Sequence, residues 1–310
     1  MTIVTLTSCK KSPTASEPDT GMTDLTGRLL GQALPGKTPV IFAPGIISAG
    51  KSESYLVEAP GGDEIFYLEI VTKNNDGFAT ILQTKLVDGR WTKPATASFS
   101  GTYSDAPIAI HPDGSRFYFS SVRPIDRSES IYESNIWYVE KVGGTWGQPK
   151  SMGKPINGRN ITSGPSVTST GTMYFTEVGS GGRNEIFRSE FINGKYQEPE
   201  ELPAQVNSSH QQYDSYIAPD ESFLLYGAYL RPDTFGGSDL YVAFRDAAGN
   251  WSKSLNMGPL VNTAADEGTA TITTDGKYIF YAKYNGSEKK VDIYWFSKAY
   301  IDELKANAGI

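Results

Sequence analysis

The chain has little of what most metal and redox sites are built from. In 310 residues there is one cysteine, Cys9, and there are two histidines, His111 and His210. A single cysteine excludes an intrachain disulfide and a cysteine-based zinc cluster, and two histidines exclude a multi-histidine metal site. Basic runs are scarce: none is longer than two residues, as at Lys10-Lys11, and the formal net charge is −7. Binding to a phosphate backbone needs clustered Lys and Arg, so the composition argues against nucleic acid as a partner. No stretch approaches the roughly 20 apolar residues of a membrane-crossing helix. A Gly-x-Ser-x-Gly elbow, a phosphate-cradling loop and a His-Glu-x-x-His helix are also missing.

What the chain does contain is aromatic residues set between turn formers. Aromatics make up 12%, with 18 Tyr and 14 Phe, alongside 32 Gly and 18 Pro. Aromatic strands punctuated by Gly and Pro turns predict an all-β chain. The length allows a sizeable core but does not decide between one domain and two.

From about residue 34 the chain can be laid against itself. Ile65-Phe66-Tyr67, Phe117-Tyr118-Phe119, Met173-Tyr174-Phe175, Leu224-Leu225-Tyr226 and Ile279-Phe280-Tyr281 recur as second strands. Before them come turns at Gly61-Gly62, Asp113-Gly114, Thr170-Gly171, Asp220-Glu221 and Asp275-Gly276. Third strands follow at Ile81, Ile136, Ile186, Leu240 and Ile293. Trp91, Trp146, Tyr196 and Trp251 open fourth strands, and Asn157, Asn207 and Asn262 follow the last three. Four short antiparallel strands repeated every roughly 50 to 55 residues predict a five-bladed β-propeller. Each sheet is too thin to bury both faces alone, so the aromatics must pack between neighbours.

The fifth unit ends after its third strand, at Phe296, with no outer strand of its own. A stretch at 38–48 stands alone before the first unit, and we expect it to supply that strand and close the ring. Residues 299–306 carry helical spacing and predict a short carboxy-terminal helix. Residues 1–33 read as a polar leader and tether, and 34–310 as a single domain, expected to be a monomer.

Pro112-Asp113-Gly114 with Phe119-Ser120-Ser121, Pro219-Asp220-Glu221 with Asp239-Leu240-Tyr241, and Asp275-Gly276 with Asp292-Ile293-Tyr294 resemble the WD40-like (PD40) repeat of TolB-type propellers. Units one and three are degenerate, since Pro60-Gly61-Gly62 lacks the Asp and Ser169-Thr170-Gly171 lacks Pro and Asp. The resemblance spans about residues 38–298 and implies an exported interaction platform of the bacterial envelope. Leu6-Thr7-Ser8-Cys9 resembles a bacterial lipobox, which implies lipidation at Cys9 and a periplasmic or cell-surface location. The alternative for Cys9 is a free thiol in a polar tail.

Candidate sites come from aligning the units by their turns. Glu53, Asp105, Thr162 or Ser163, Gln212 and Glu267 fall in one column, where each innermost strand starts at one channel mouth. Two positions on, Tyr55, Pro107, Pro165, Asp214 and Thr269 form a second column, which puts Asp214 deeper in the channel. Acids around one axis suit a cation, a basic peptide or sugar hydroxyls. The plainer reading is that they bond the loop from the preceding blade. His210, in the loop before Gln212, lies near the proposed mouth. No cofactor is expected, with a calcium ion in the channel as the one cation considered. Arg123 and Arg231 follow second strands, either bonding their own blade or anchoring an acidic partner. The recurring Trp residues are expected to be inter-blade packing.

The leading functional expectation is a non-enzymatic binding propeller that holds an envelope protein or glycan over the channel mouth. The alternative is a carbohydrate-active enzyme, a glycoside hydrolase or lyase, using Glu53, Asp105, Asp214 and Glu267 as acid and base. A third is a scaffold that binds through blade edges.

Overall fold

The computed structural model describes residues 25–310 except 74–75, 126–133, 159–160, 179–181, 209 and 287–289. Cys9 lies outside the described residues. The chain forms a five-bladed propeller of antiparallel sheets with one carboxy-terminal helix. The innermost strands are Glu53–Glu58, Asp105–Ile110, Thr162–Val167, Gln211–Ile217 and Asp266–Ile272. The third strands run over Asp76–Val87, Asn135–Val142, Asn184–Ser189, Ser238–Phe244 and Lys290–Ser297.

Outer strands are short for a chemical reason. In blade 2, Thr145–Trp146 pairs with the third strand, and then Lys150–Ser151 pairs with it again. Pro149 sits between the two and has no N–H to give to the ladder. Blade 1 repeats this around Pro94. A two-residue strand leaves part of the third strand without an outer partner, and those backbone groups must bond elsewhere. The periodic asparagines satisfy them. Asn157 accepts from the Ile136 amide at 2.9 Å and donates to the Ile136 carbonyl at 2.8 Å. Asn207 holds Ile186 in the same way, and Asn262 holds Leu240. Blade 5 uses Ser48 on both backbone groups of Ile293, and blade 1 uses Ser100 on the Ile81 amide.

The ring closes as expected. Val40 pairs with Trp295 and Ile41 with Tyr294, and the Phe42 amide donates to the Ile293 carbonyl at 2.8 Å. Phe42 is buried, edge-on to Phe280 at 5.0 Å and to Trp295 at 5.1 Å. Buried apolar residues form five clusters, one between each pair of neighbouring blades. Trp91, Trp146 and Trp251 each pack against the preceding blade in such a cluster.

The packed structure begins before residue 34. Leu29 and Leu30 are buried in the cluster between blades 5 and 1, and Trp91 Nε1 donates to the Gly27 carbonyl at 2.7 Å. Arg28 adds an ion pair to Glu58 of blade 1 and another to Asp275 of blade 5. The amino-terminal segment thus reinforces the seam that residues 40–42 close. The helix covers Ala299–Asn307, with Ile301 buried between blades 4 and 5 and the Tyr300 hydroxyl on the Met257 carbonyl at 2.6 Å.

Phe42→Ala should remove about 3–5 kcal/mol of stability, as large-to-small changes at packed aromatic sites do. Val40→Ala, at an exposed position of the closing strand, should cost under about 1 kcal/mol. Denaturant melts of the two variants check this. Equal losses would mean that the seam is not held by its buried face.

Candidate active site in the axial channel

Every innermost strand carries a one-residue bulge at the same level. In blade 1 the pairing runs Glu53 with Glu69, then Val57 with Phe66, so β-register slips by one in between. Blades 2 to 5 slip at the matching place. Such a bulge leaves one residue unpaired and re-aims its side chain. Tyr55, Gly164, Asp214 and Thr269 occupy this level with φ of 47°, 64°, 53° and 58°, and in blade 2 the cis Ala106-Pro107 bond takes the place. Left-handed backbone is uncommon for Tyr and costly for a β-branched Thr. Gly164 has no side chain, and a Cβ there would meet Thr176 Oγ1 at 3.3 Å and the Asp214 backbone at 3.6 Å. The ambiguous position in blade 3 resolves as Thr162, with Gly164 rather than Pro165 at the bulge.

A cavity of about 150 Å³ runs from this level along the channel to the turns at Pro60, Pro112 and Pro219. Its wall is mostly apolar, including Val57, Ile108, Val167 and Ile217. Two carboxylates line it. Glu58 is taken: both its oxygens meet Arg28, and the Thr274 amide donates to it at 3.0 Å. Asp214 has no ion pair among the described residues. Burial pushes its carboxyl up to about 6, and the nearby Tyr55 hydroxyl offsets part of that rise. The Tyr55 contact is electrostatic rather than a formed hydrogen bond, since the Tyr55 hydroxyl has no partner of good geometry among the described residues. Burial and the Asp214 charge hold the Tyr55 phenol well above its usual range, so it stays protonated. Ser215 is also among the lining residues, and its buried hydroxyl has no hydrogen-bond partner among the described residues.

Of the six proposed ligand residues, only Asp214 lines this cavity. The first column clamps loops instead. Glu53, 1% exposed, accepts from the Ala49 and Lys51 amides at 3.1 Å. Asp105, 0% exposed, accepts from Ser100 Oγ at 2.7 Å and from Arg123 at 2.9 Å. Gln212 donates to Ser208 Oγ at 2.7 Å. Glu267 accepts from the Thr263 hydroxyl at 2.6 Å and its amide at 3.1 Å, and burial pushes its carboxyl up to about 7. In each case one partner lies four or five residues earlier, in the loop from the preceding blade, while Lys51 is two residues before Glu53 and Arg123 follows Asp105 by 18. The usable space is therefore not at the mouth where the strands start, but on the other side of the bulge. His210 sits in one of those loops, away from the cavity lining. Arg123 is consumed by Asp105 and the Phe99 carbonyl, and Arg231 lies 4.1 Å over the Tyr241 ring. No group of three or more His, Cys, Asp or Glu among the described residues could hold a metal ion. Sequence reasoning placed Tyr55 in the Asp214 column without giving it a role, and missed Ser215; sharing the bulge column was the available signal for Tyr55.

With this geometry the class of protein is a five-bladed propeller with an axial pocket. No family model matches the chain, and no curated protein matches it. Solved structures do. A glycoside hydrolase matches with a TM-score of 0.54 at 13% identity, over 84% of this chain and 91% of that one. A thermostable family-43 glycoside hydrolase matches at 0.51 and 10% identity, over 86% and 92%. The catalytic domain of the Coprinopsis cinerea GH62 alpha-L-arabinofuranosidase matches at 0.50 and 10% identity, over 85% and 98%. At these identities the likeness shows the fold. It also corrects the expectation of a non-enzymatic binding module. That expectation rested on resemblance to interaction propellers, whereas these matched frames are those of glycoside hydrolases.

Two predictions follow from the acids. A raised folded pKa means the folded state holds the Asp214 proton more tightly than the unfolded chain, so stability falls as pH rises from about 4 to about 6. Asp214→Asn should therefore stabilise the protein at pH 7, by about 1–3 kcal/mol, and have little effect near pH 4. Asn tolerates the left-handed backbone there. Thermal melts at both pH values check this, and destabilisation at pH 7 would contradict it. Arg123→Met should cost about 3–5 kcal/mol, because Asp105 is left buried and unpaired. A double change with Asp105→Asn should recover much of that loss.

Proposed function

We propose that this chain is a carbohydrate-active enzyme, a hydrolase or lyase, that takes a sugar into the axial cavity and uses Asp214 for proton transfer. The observation that carries the reading is that Asp214 is the one cavity-lining carboxylate that no cation holds, among the described residues. An acid with a pKa near 6 is close enough to neutrality to exchange protons during a reaction. At pH 7 it is mostly ionised, which suits a general base that draws a proton from water or from a substrate carbon. Tyr55 stays protonated beside it and can donate to oxygen at the same locus. The hydrolase frames of the matched structures support the carbohydrate class, and glycosidase chemistry routinely runs on carboxyl groups.

The column of Glu53, Asp105 and Glu267 has no catalytic role in this reading, since its oxygens are bonded to loops. We also propose, from Cys9 and the repeat motifs, an envelope protein held by a lipid anchor; labelling with a lipid precursor tests that part separately.

A panel of polysaccharides and aryl glycosides, assayed for released reducing ends and unsaturated products, tests the activity. The wild type should turn over at least one member. Asp214→Asn should slow it by about 10²–10⁴-fold, the usual range for losing an acid–base group. Asp105→Asn should alter the melting point without a comparable loss of rate. Absence of turnover on every substrate, or full activity in Asp214→Asn, would remove the proposal.

A further inference from the structure

Blade 3 breaks the period at one position. Blades 1, 2 and 4 open their fourth strands with Trp91, Trp146 and Trp251, which are 1%, 5% and 8% exposed and packed against the preceding blade. Blade 3 has the smaller Tyr196 there, and it is only half-buried. Beside it the junction of blades 2 and 3 opens into a groove of about 440 Å³. That is about three times the axial cavity and within the ~300–1,000 Å³ of small-molecule sites. The two linings share no residue.

Each blade brings a different chemistry to this groove. Blade 3 brings rings: Phe191 and Tyr196 pair across a hairpin with centroids 4.9 Å apart, and both line the groove. Phe191 is seated on the turn at Gly171, where an added Cβ would come within 3.0 Å of its ring. Blade 2 brings planar polar groups. Arg116 donates to Glu140 at 3.1 Å, and Lys150 donates to the other Glu140 oxygen at 2.7 Å. The Arg116 and Glu140 side chains remain 35% and 33% exposed. A guanidinium has five donors, more than the pair with Glu140 uses. Two cations, Arg116 and Lys141, and two carboxylates, Asp113 and Glu140, line the groove, so its formal charge is zero.

We propose that this groove is a glycan-binding site, separate from the axial cavity, that takes a neutral oligosaccharide segment. A cavity of about 150 Å³ accepts one benzene ring, so the groove has room for about two or three sugar rings. Sugars present C–H faces that pack on aromatic rings, and hydroxyls that both donate and accept, which suits an Arg beside a carboxylate. An anion such as phosphate would compete with Glu140 for Arg116 and sit beside two carboxylates. A peptide adding as a strand needs an open sheet edge, and here Lys141 and Val142 are already paired with Trp146 and Thr145.

Titration calorimetry on the full chain, with xylotriose, cellotriose, maltotriose and inorganic phosphate as probes, tests the site. At least one trisaccharide should bind with a Kd below about 1 mM, and phosphate should not. Tyr196→Trp restores the residue of the other blades and narrows the groove. It should weaken that binding at least about tenfold while melting as a folded protein. Arg116→Met, at a side chain open to water, should weaken it comparably. Asp214→Asn, in the other cavity, should bind as the wild type does. No trisaccharide binding, tighter binding of phosphate, or binding lost in Asp214→Asn but kept in both groove variants would each overturn the site. Groove binding by a chain that turns over no glycan would leave the site standing and remove the enzyme reading.

Discussion

The structure depends on a pairing of a few residues at its seam. Val40 and Ile41 run antiparallel to Tyr294 and Trp295, and Phe42 drops into the cluster behind them. A four-stranded blade has two apolar faces and can cover neither by itself. Each of the five clusters is shared by two blades, so an open ring would leave the aromatic faces of blades 1 and 5 in water. Leu29, Leu30 and the Arg28 ion pairs add a second layer over the same joint. Because the ring is closed, five inner strands are held around one axis, and their bulges meet at one level. The cavity exists only as a consequence of that closure.

The acids near the axis divide by what is left for them to bond. Glu53, Asp105 and Glu267 stand where a loop arrives from the preceding blade, and the loop supplies amides and hydroxyls at 2.6 to 3.2 Å. They are latches between blades. Asp214 lies two residues beyond Gln212 in its strand, at the bulge and away from the loop that meets Gln212. Its charge is therefore desolvated with only the Tyr55 hydroxyl to offset it, and its carboxyl is displaced toward neutrality. The proposed site falls where a carboxylate was left without an ion-pair partner among the described residues, and that is a more discriminating sign than the presence of acids around an axis.

Some of this could be read along the chain. The repeat turns, the aromatic second strands and the lone stretch before the first unit were enough for five blades and the closing strand. The column containing Tyr55 and Asp214 was legible too, because aligning the units by their turns stacks equivalent positions. The roles within the columns were not. Thr162 against Ser163 hinged on a one-residue bulge, which shifts register without changing the pattern of residues. The bond from Arg123 to Asp105 joins the segment after one strand to the start of its neighbour, and the other partner of Asp105, Ser100, belongs to the incoming loop. Nothing in the spacing of acids tells a latch from a free carboxylate.

By itself, then, the amino-acid order determined the number of sheets, their internal strand order and the strand that shuts the ring, because these follow from local periodicity and turn chemistry. Only the tertiary structure decided which acid is available. Availability depends on desolvation and on hydrogen-bond partners that the fold brings from other parts of the chain. It also moved the usable space to the far side of the bulge, since a cavity is defined by five strands at once and belongs to no single stretch of sequence.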